Sequence, residues 1–238
     1  MFKIIFFVCA ALVVLVFFLI HGYEYYGWFV SSEGVRRHGN EKLPGIALTF
    51  DDGPHPVYTP QILDILKKRG VKGCFFMLGK HVEAHPDIVK RMNEEGHELG
   101  SHGHSHRMMP LLSVEDLKVE LDKTDAAIEK AANTRASYFR PPYGFYNEAV
   151  RREALSRGYA FVLWNVSSKD WMNQGGEKVA RNVEKYLKPG AILLFHDGGS
   201  VVHNKGTKRE STVLSLPLII DAAQKKGLKV MTLKELLQ

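Results

Sequence analysis

The chain has 238 residues, of which 45% are hydrophobic and 24% are charged. This composition excludes a disordered chain, a collagen-like chain and a protein with many membrane spans. Lys and Arg total 32 against 26 Asp and Glu, so the net charge is +6. A modest positive charge suits an anionic surface such as a cell wall or lipid headgroups. We expect no nucleic-acid partner, because basic residues are not clustered with aromatic ones, and no obligate protein partner is indicated.

The N-terminus carries a long apolar run. Residues 4–20 are 17 consecutive apolar residues preceded by Lys3. A helix of this length spans about 25 Å, the short end of a bilayer crossing, and the aromatic residues among 23–29 resemble an interfacial belt. We expect residues 1–30 to form a single transmembrane helix in the cell membrane, with the rest of the chain extracytoplasmic. A cleaved signal peptide is the alternative, and the protein is then secreted.

The rest of the chain divides into a short polar segment and one domain. Residues 31–44 are polar and contain Gly and Pro, which predicts a tether. Within residues 45–238, apolar runs predict strands at 46–50, 74–78, 98–100, 138–140, 160–164, 191–195 and 229–231. Amphipathic stretches between them predict helices at 60–69, 87–95, 113–132, 147–157, 177–187 and 212–226. This alternation indicates an α/β barrel or a doubly wound sheet.

Unusual polar residues stand at or just after the carboxyl ends of these strands, where the active sites of barrels lie. The first strand ends in Thr-Phe-Asp-Asp-Gly-Pro, with Asp51 and Asp52 adjacent. Neighbouring residues of a regular strand point to opposite faces. Because Gly53 and Pro54 interrupt the strand, we expect both carboxylates to reach one cavity. Taken alone, the motif also fits a turn that uses two aspartates.

Residues 101–106 read Ser-His-Gly-His-Ser-His. His102 and His106 can converge on one metal ion if this segment turns tightly, and His104 then points elsewhere. A His-rich surface loop is the alternative. Together with Asp52, the two imidazoles form the ligand set of a catalytic zinc site. Such an ion activates water and polarises a carbonyl, which leaves Asp51 free to act as a general base.

A second motif reads Phe-Arg-Pro-Pro-Tyr-Gly over residues 139–144. Because the two prolines lack N–H groups, Tyr143 offers the first backbone donor after Arg140. A donor on a stiff turn suits the stabilisation of an oxyanion beside a metal ion. Arg140 can pair with a carboxylate and orient it. A proline-rich turn with a surface arginine is the alternative.

Two further segments carry candidate residues, each of a type that is also common in an ordinary core. His196 follows the run Leu-Leu-Phe, and Asp170 precedes Trp171. A histidine at a strand end can act as a general acid if a carboxylate raises its pKa, and Asp170 is a candidate for that carboxylate. Leu193 and Trp171 could wall a small apolar pocket for the substrate.

The blocks TFDDGP, HGHSH, RPPYG, DW and LLFH occur in this order. Over residues 45–238 they resemble the polysaccharide deacetylase (NodB-homology) domain of carbohydrate esterase family 4. The resemblance implies a distorted (β/α)7 barrel in which a divalent metal ion, usually zinc, supports hydrolysis of N-acetyl groups on amino sugars. We therefore expect a hydrolase that releases acetate from an N-acetylated glycan, with peptidoglycan as the first substrate and chitin-type oligosaccharide as the second.

The resemblance also assigns roles to individual residues. They are Asp51 as base, Asp52, His102 and His106 as metal ligands, Tyr143 N–H as oxyanion donor, and His196 as acid. In the family, the residues matching Arg140, Asp170 and Leu193 respectively steady the base, tune the histidine and contact the acetyl methyl group. The fourth family block often reads Asp-x-x-Asp-Trp, whereas Ser167 stands at the first of these positions.

Two other functions remain open at this point. The domain could bind glycan without cleaving it. Alternatively, a membrane-anchored deacylase could act on a lipid-linked sugar, because a short tether keeps the site close to the bilayer.

Overall fold

The computed structural model describes residues 31–199 and 208–238. The predicted transmembrane helix or signal peptide of residues 1–30 lies outside these ranges. Within them, every helix is too short or too polar to cross a bilayer. The strands are β1 (Val35–Arg36), β2 (Gly45–Asp51), β3 (Cys74–Met77), β4 (Glu98–Ser101), β5 (Tyr138–Phe139), β6 (Ala160–Val162), β7 (Val166–Ser167), β8 (Ala191–His196) and β9 (Lys229–Val230). The α-helices are α1 (Tyr58–Arg69), α2 (Gly79–Ala84), α3 (Pro86–Glu94), α4 (Val114–Ala132), α5 (Glu148–Ser156), α6 (Gly176–Glu184), α7 (Glu210–Lys225) and α8 (Leu233–Leu236).

The strands form one sheet in the order β1-β6-β5-β4-β3-β2-β8-β7, with β9 beside β2. All neighbouring strands are parallel. Helices follow most strands and return the chain to the start of the next one, as parallel pairing requires. The result is an α/β half-barrel of parallel strands, the architecture expected of a distorted (β/α)7 barrel.

Strand alternation divides the apolar side chains between two layers. In β2, Ile46, Leu48 and Phe50 face outward and pack with α1, α3 and α7 in the larger core. Ala47 faces inward and packs with Phe76 and other residues of the barrel interior. Since side chains of a strand alternate between faces, the inward positions of β2 continue to its carboxyl end at Asp51. The barrel interior therefore opens toward that residue.

The segment 31–44 is part of the domain, so the prediction of a tether is wrong. Its strand β1 pairs with β6, Gly39 N donates to Gly190 O at 2.8 Å, and Asn40 N donates to Leu236 O at 2.7 Å. Leu236 and the rest of α8 close the amino end of the barrel. A two-residue strand is too short to produce a hydrophobic period, which is why the sequence pattern resembles a linker there.

Candidate active site

The carboxyl ends of the strands surround a cavity of about 390 Å³. The residues that line it come from seven separate segments of the chain: Asp51, Asp52, His102, His106, Tyr143, Trp164, Trp171, Leu194, His196 and Arg209. Seven of the residues predicted from the sequence thus meet at one place: Asp51, Asp52, His102, His106, Tyr143, Trp171 and His196. The two remaining polar candidates, Arg140 and Asp170, are fully buried behind them.

Arg140 holds Asp51 from inside the barrel. Its Nη1 donates to Asp51 Oδ1 at 2.7 Å and to Thr49 Oγ1 at 2.9 Å. Nε and Nη2 donate to the main-chain oxygens of Val162 and Leu163, and the guanidinium lies 4.0 Å from the ring centre of Phe76. Because each nitrogen of the planar guanidinium is engaged, the carboxylate of Asp51 is held in one orientation.

The backbone leaves the extended strand conformation at Asp52 itself, and not only at Gly53 and Pro54 that follow. Its φ is +75°, a left-handed conformation that is uncommon for a residue with a Cβ. Asp52 N donates to Phe76 O at 3.2 Å, and His81 Nδ1 lies 2.8 Å from Asp52 O. These contacts stabilise the turn that brings both adjacent carboxylates to the cavity, as the sequence motif predicts.

The side chain of Asp52 faces two imidazoles. Its Oδ1 lies 3.1 Å from His106 Nε2 and 3.5 Å from His102 Nε2. The geometry is not that of a hydrogen bond, and this buried oxygen has no hydrogen-bond partner among the described residues. Burial favours the neutral acid, yet the two histidines and the charge of His196 hold the pKa of Asp52 below its ordinary range.

The orientation and the protonation state of His102 suit the binding of a cation. Its Nδ1 lies 2.6 Å from Arg140 O, so Nδ1 carries the proton and Nε2 keeps a lone pair. Burial lowers the pKa of His102, against the opposing effect of Asp51 and Asp52. The neutral ring that results is the form that coordinates metal ions.

Three ligand atoms of Asp52, His102 and His106 lie within 4.8 Å of one another. Two imidazole nitrogens and one carboxylate oxygen are a donor set typical of catalytic zinc. The partnerless Oδ1 of Asp52 is the kind of buried atom that a bound cation satisfies. The residues therefore fit a divalent metal ion, and His104, which lies 4.0 Å from Glu83, is outside the set.

Tyr143 also has a left-handed backbone, with φ +61°, in the turn Pro142–Gly144. Its ring packs edge-on against His106 at a centroid distance of 4.5 Å, while about half of the side chain remains exposed at the cavity. The turn thus places Tyr143 at the cavity with its ring beside the candidate ligand His106.

His196, at the end of β8, is bound to Asp170. Its Nδ1 lies 2.9 Å from Asp170 Oδ1, and its backbone N donates to Asp170 Oδ2 at 2.7 Å. Burial favours the neutral ring, but the charge and hydrogen bond of Asp170 outweigh it, and with Asp52 and Asp51 they raise the pKa of His196 to about 9. The ring is therefore protonated at neutral pH and can act as a general acid.

The apolar wall of the cavity differs from the prediction by one residue. Leu193 is fully buried in the outer core with the helices, whereas Leu194 lines the cavity. Leu194 and His196 are two residues apart in β8 and share the inward face, so Leu193 must face outward. Leu194, and not the predicted Leu193, is therefore the leucine of β8 that lines the cavity. Trp171 lies where predicted, edge-on to His196 at 5.3 Å.

The sequence matches the family described as polysaccharide deacetylase over residues 38–162. The chain belongs to the polysaccharide deacetylase family. A peptidoglycan-N-acetylglucosamine deacetylase of Bacillus cereus is 39% identical over 84% of this chain and 90% of its own length. A chitooligosaccharide deacetylase of Bradyrhizobium is 33% identical over 87% of this chain and 98% of its own. The crystal structure of a peptidoglycan N-acetylglucosamine deacetylase superposes with a TM-score of 0.81 at 32% identity, covering 86% of this chain and 93% of that one.

In this member of the family, two buried polar residues at the site were not predicted from the sequence. Glu120 of α4 accepts hydrogen bonds from His104 N at 2.8 Å, Ser105 N at 2.9 Å and Ser105 Oγ at 2.5 Å, so it holds the loop between the two candidate ligands. Arg209 lines the cavity. Ser167, which departs from the family pattern, lies in β7 and is not among the residues that line the cavity.

Proposed function

We propose that this chain is a metal-dependent hydrolase that removes N-acetyl groups from amino-sugar residues of a cell-envelope polysaccharide. Peptidoglycan is the first substrate and chitin-type oligosaccharide the second, in accord with the activities named for the two relatives. One observation carries the proposal. A single cavity holds a candidate metal site of three residues, a carboxylate outside that site (Asp51), and a protonated histidine (His196).

Asp52, His102 and His106 would hold the metal ion, which we propose to be zinc because of their nitrogen-rich donor set. When bound there, a divalent ion supplies Lewis-acid chemistry, activating water and polarising the acetyl carbonyl. The neutral state of His102 and the ionised state of Asp52 are the protonation states that such binding requires.

Asp51 acts as the general base. It accepts a proton from the attacking water while the water oxygen forms a bond to the acetyl carbon. Its Oδ1 is occupied by Arg140 and its Oδ2 lies 3.9 Å from His102 Nε2, so Oδ2 is the atom available for the proton. The backbone N–H of Tyr143 donates to the oxyanion that develops on the acetyl oxygen.

His196 acts as the general acid on the other side of the acetyl group. It donates a proton to the amide nitrogen as the carbon–nitrogen bond breaks, and acetate and a free amino sugar are the products. Asp170 orients the imidazole and keeps it protonated. Leu194 and Trp171 provide the apolar surface against which the acetyl methyl group packs.

We also propose that residues 1–30 anchor the enzyme in the cell membrane with its domain outside the cytoplasm, where its polymer substrate lies. The apolar run of residues 4–20 supports this location. Because the domain already includes β1, at Val35–Arg36, its surface lies close to the bilayer. That closeness keeps a lipid-linked sugar as the second candidate substrate.

The test is acetate release by the 238-residue chain from peptidoglycan and from chitin oligomers. Each substrate is assayed with zinc, with a chelator, and with the variant Asp51→Asn, whose metal content is measured in parallel. We expect acetate that disappears with chelator and in Asp51→Asn, although this variant keeps its metal ion. Absence of acetate from zinc-loaded, folded protein on both polymers contradicts the proposal, and acetate from a lipid-linked N-acetyl sugar alone would assign the second candidate.

A further inference from the structure

Arg209 is the cation of the cavity that the reaction above leaves unused. Its side chain lines the cavity, yet the residue is only 9% exposed. Nε donates to Gly198 O at 2.7 Å and Nη1 donates to Lys208 O at 3.1 Å. Two main-chain oxygens therefore fix the plane of the guanidinium without neutralising its charge.

The acidic groups of the cavity have other partners. Asp51 pairs with Arg140, Asp52 faces the two histidines, and Asp170 pairs with His196. Glu210, the next residue in the chain, instead accepts a hydrogen bond from Tyr58 Oη at 2.8 Å. Among residues 31–199 and 208–238, no carboxylate lies within ion-pair distance of Arg209, and Nη2 donates to no acceptor.

A buried cation without a counter-charge is costly, since its hydration is lost and no ion pair replaces it. A metal ion at Asp52, His102 and His106 adds further positive charge to the same cavity. A neutral N-acetylglucosamine residue offers nothing to offset this charge. A carboxylate or phosphate group does, because its oxygens match the planar donors of a guanidinium.

We propose that Arg209 forms an anion subsite inside the catalytic cavity, which takes an anionic oxygen group carried by the glycan next to the acetyl group under attack. The inference rests on the proposed function and narrows its substrate class. In a glycan strand whose N-acetylmuramic acid residues carry no stem peptide, the group is the free lactyl carboxylate, whereas a lactyl group in amide linkage to a peptide is neutral and lacks the required charge. A sugar phosphate presents the same chemistry, and the test separates the two sources.

The experiment compares kcat/KM for acetate release from four soluble substrates. They are a neutral chitin oligomer, a disaccharide of N-acetylglucosamine and N-acetylmuramic acid, the methyl ester of that disaccharide, and N-acetylglucosamine 1-phosphate. For the wild-type chain we expect the free acid to exceed its ester by about 10-fold or more, as for the loss of a hydrogen bond to a charged group. Preference for the phosphate over the carboxylate would assign the anion to a sugar phosphate.

Variants connect this preference to Arg209. Arg209→Met should make kcat/KM equal for the acid and its ester, while kcat/KM for the neutral oligomer stays within about 3-fold of the wild-type value. Arg209→Lys should retain part of the preference for the acid. Lys208→Met is the matched control, because it removes the same charge from an exposed neighbour. Calorimetric Kd values of acid and ester for Asp51→Asn, with and without Arg209→Met, report the same contact without turnover.

Equal kcat/KM values for acid and ester in the wild type, with no preference for the sugar phosphate over the neutral oligomer, would overturn the inference, as would an equal loss on neutral and charged substrates in Arg209→Met. In both cases acetate release from the neutral oligomer shows that the proposed function still stands. Lack of acetate from every substrate is a failure of the proposed function instead. Melting temperature and zinc content of each variant confirm that the comparison is made between folded, loaded proteins.

Discussion

Asp170 binds His196 at two atoms at once. One carboxylate oxygen lies 2.9 Å from the ring nitrogen Nδ1, and the other accepts the backbone N–H of the same residue at 2.7 Å. Thr212 Oγ1 donates to the second oxygen at 2.6 Å. The ring is therefore fixed in orientation, with its proton on Nδ1 shared with the carboxylate and Nε2 left for the substrate.

Replacing Asp170 should shift the pH dependence of the reaction. The general acid must be protonated, so the activity of the wild type should fall as the pH rises through the pKa of His196, about 9. Asp170→Asn removes the charge that raises this pKa, so the alkaline limb of kcat/KM should move to lower pH. With a pKa near the ordinary value of about 6.5, activity at pH 8 drops roughly 30-fold.

The matched control for that variant is Thr212→Val, which removes one hydrogen bond to Asp170 and keeps the carboxylate. We expect its alkaline limb to shift by much less than that of Asp170→Asn. An unchanged limb in Asp170→Asn would mean that His196 does not donate the proton. The profiles are measured as kcat/KM for acetate release between about pH 6 and 10, bracketing the reference pKa values.

Replacement of His102 and replacement of His104, which lie in the same loop, should affect the metal content differently. His102→Ala removes a nitrogen of the candidate metal site, so zinc affinity should fall at least about 100-fold and activity with it. His104→Ala is the control, because His104 lies toward Glu83 in the same loop. Zinc is measured by competition with a chelating dye. Full zinc occupancy in His102→Ala would show that another group is the ligand.

Glu120 should act on the metal site through the loop that it holds. Glu120→Ala removes the acceptor of three hydrogen bonds from residues 104 and 105, so the zinc Kd should rise about 10- to 100-fold. Glu120→Gln keeps an acceptor oxygen and should recover most of the affinity. Glu129→Ala, an exposed change on the same helix, should leave the Kd unaltered. A zinc Kd unchanged in Glu120→Ala would show that the loop holds its ligands unaided.

Arg140 should matter for stability as well as for orienting the base. Arg140→Met leaves the buried carboxylate of Asp51 without its partner, and we expect the free energy of unfolding to fall by about 3–5 kcal/mol. Arg152→Met removes an arginine whose side chain is 76% exposed and paired with Glu148, and should cost less than about 1 kcal/mol. Urea unfolding of the metal-free proteins measures both, and equal losses would contradict the assigned pairing.

Much of the site could be predicted because its residues stand in short sequence motifs at the ends of predicted strands. The pair Asp51 and Asp52 stands in one short motif, as do His102 and His106, and the family resemblance orders these motifs along the chain. Parallel strands then place their carboxyl ends together. The structure confirms that these side chains line one cavity.

The missed residues lack such a signal. Glu120 lies on an amphipathic helix 14 residues after His106, among charged residues that resemble a solvated face, and only tertiary packing buries it. Arg209 follows Lys208 and resembles an ordinary surface cation. Leu194 could have been chosen over Leu193 from the sequence alone. Residues two apart in a strand share a face, and His196 was already assigned to the site.

The left-handed backbone of Asp52, His106 and Tyr143, with φ of +75°, +60° and +61°, restricts how this enzyme can be made more heat-resistant. Such conformations cost on the order of 1 kcal/mol or more for residues other than glycine, so glycine at any of the three would relax the chain. At Asp52 and His106 the proposed role, metal binding, belongs to the side chain, whereas the proposed role of Tyr143 belongs to its N–H. Selection for thermal tolerance alone would thus favour glycine at Asp52 and His106, where the substitution removes the proposed metal ligand and with it the activity. Only at Tyr143 could a glycine improve stability and leave the activity intact.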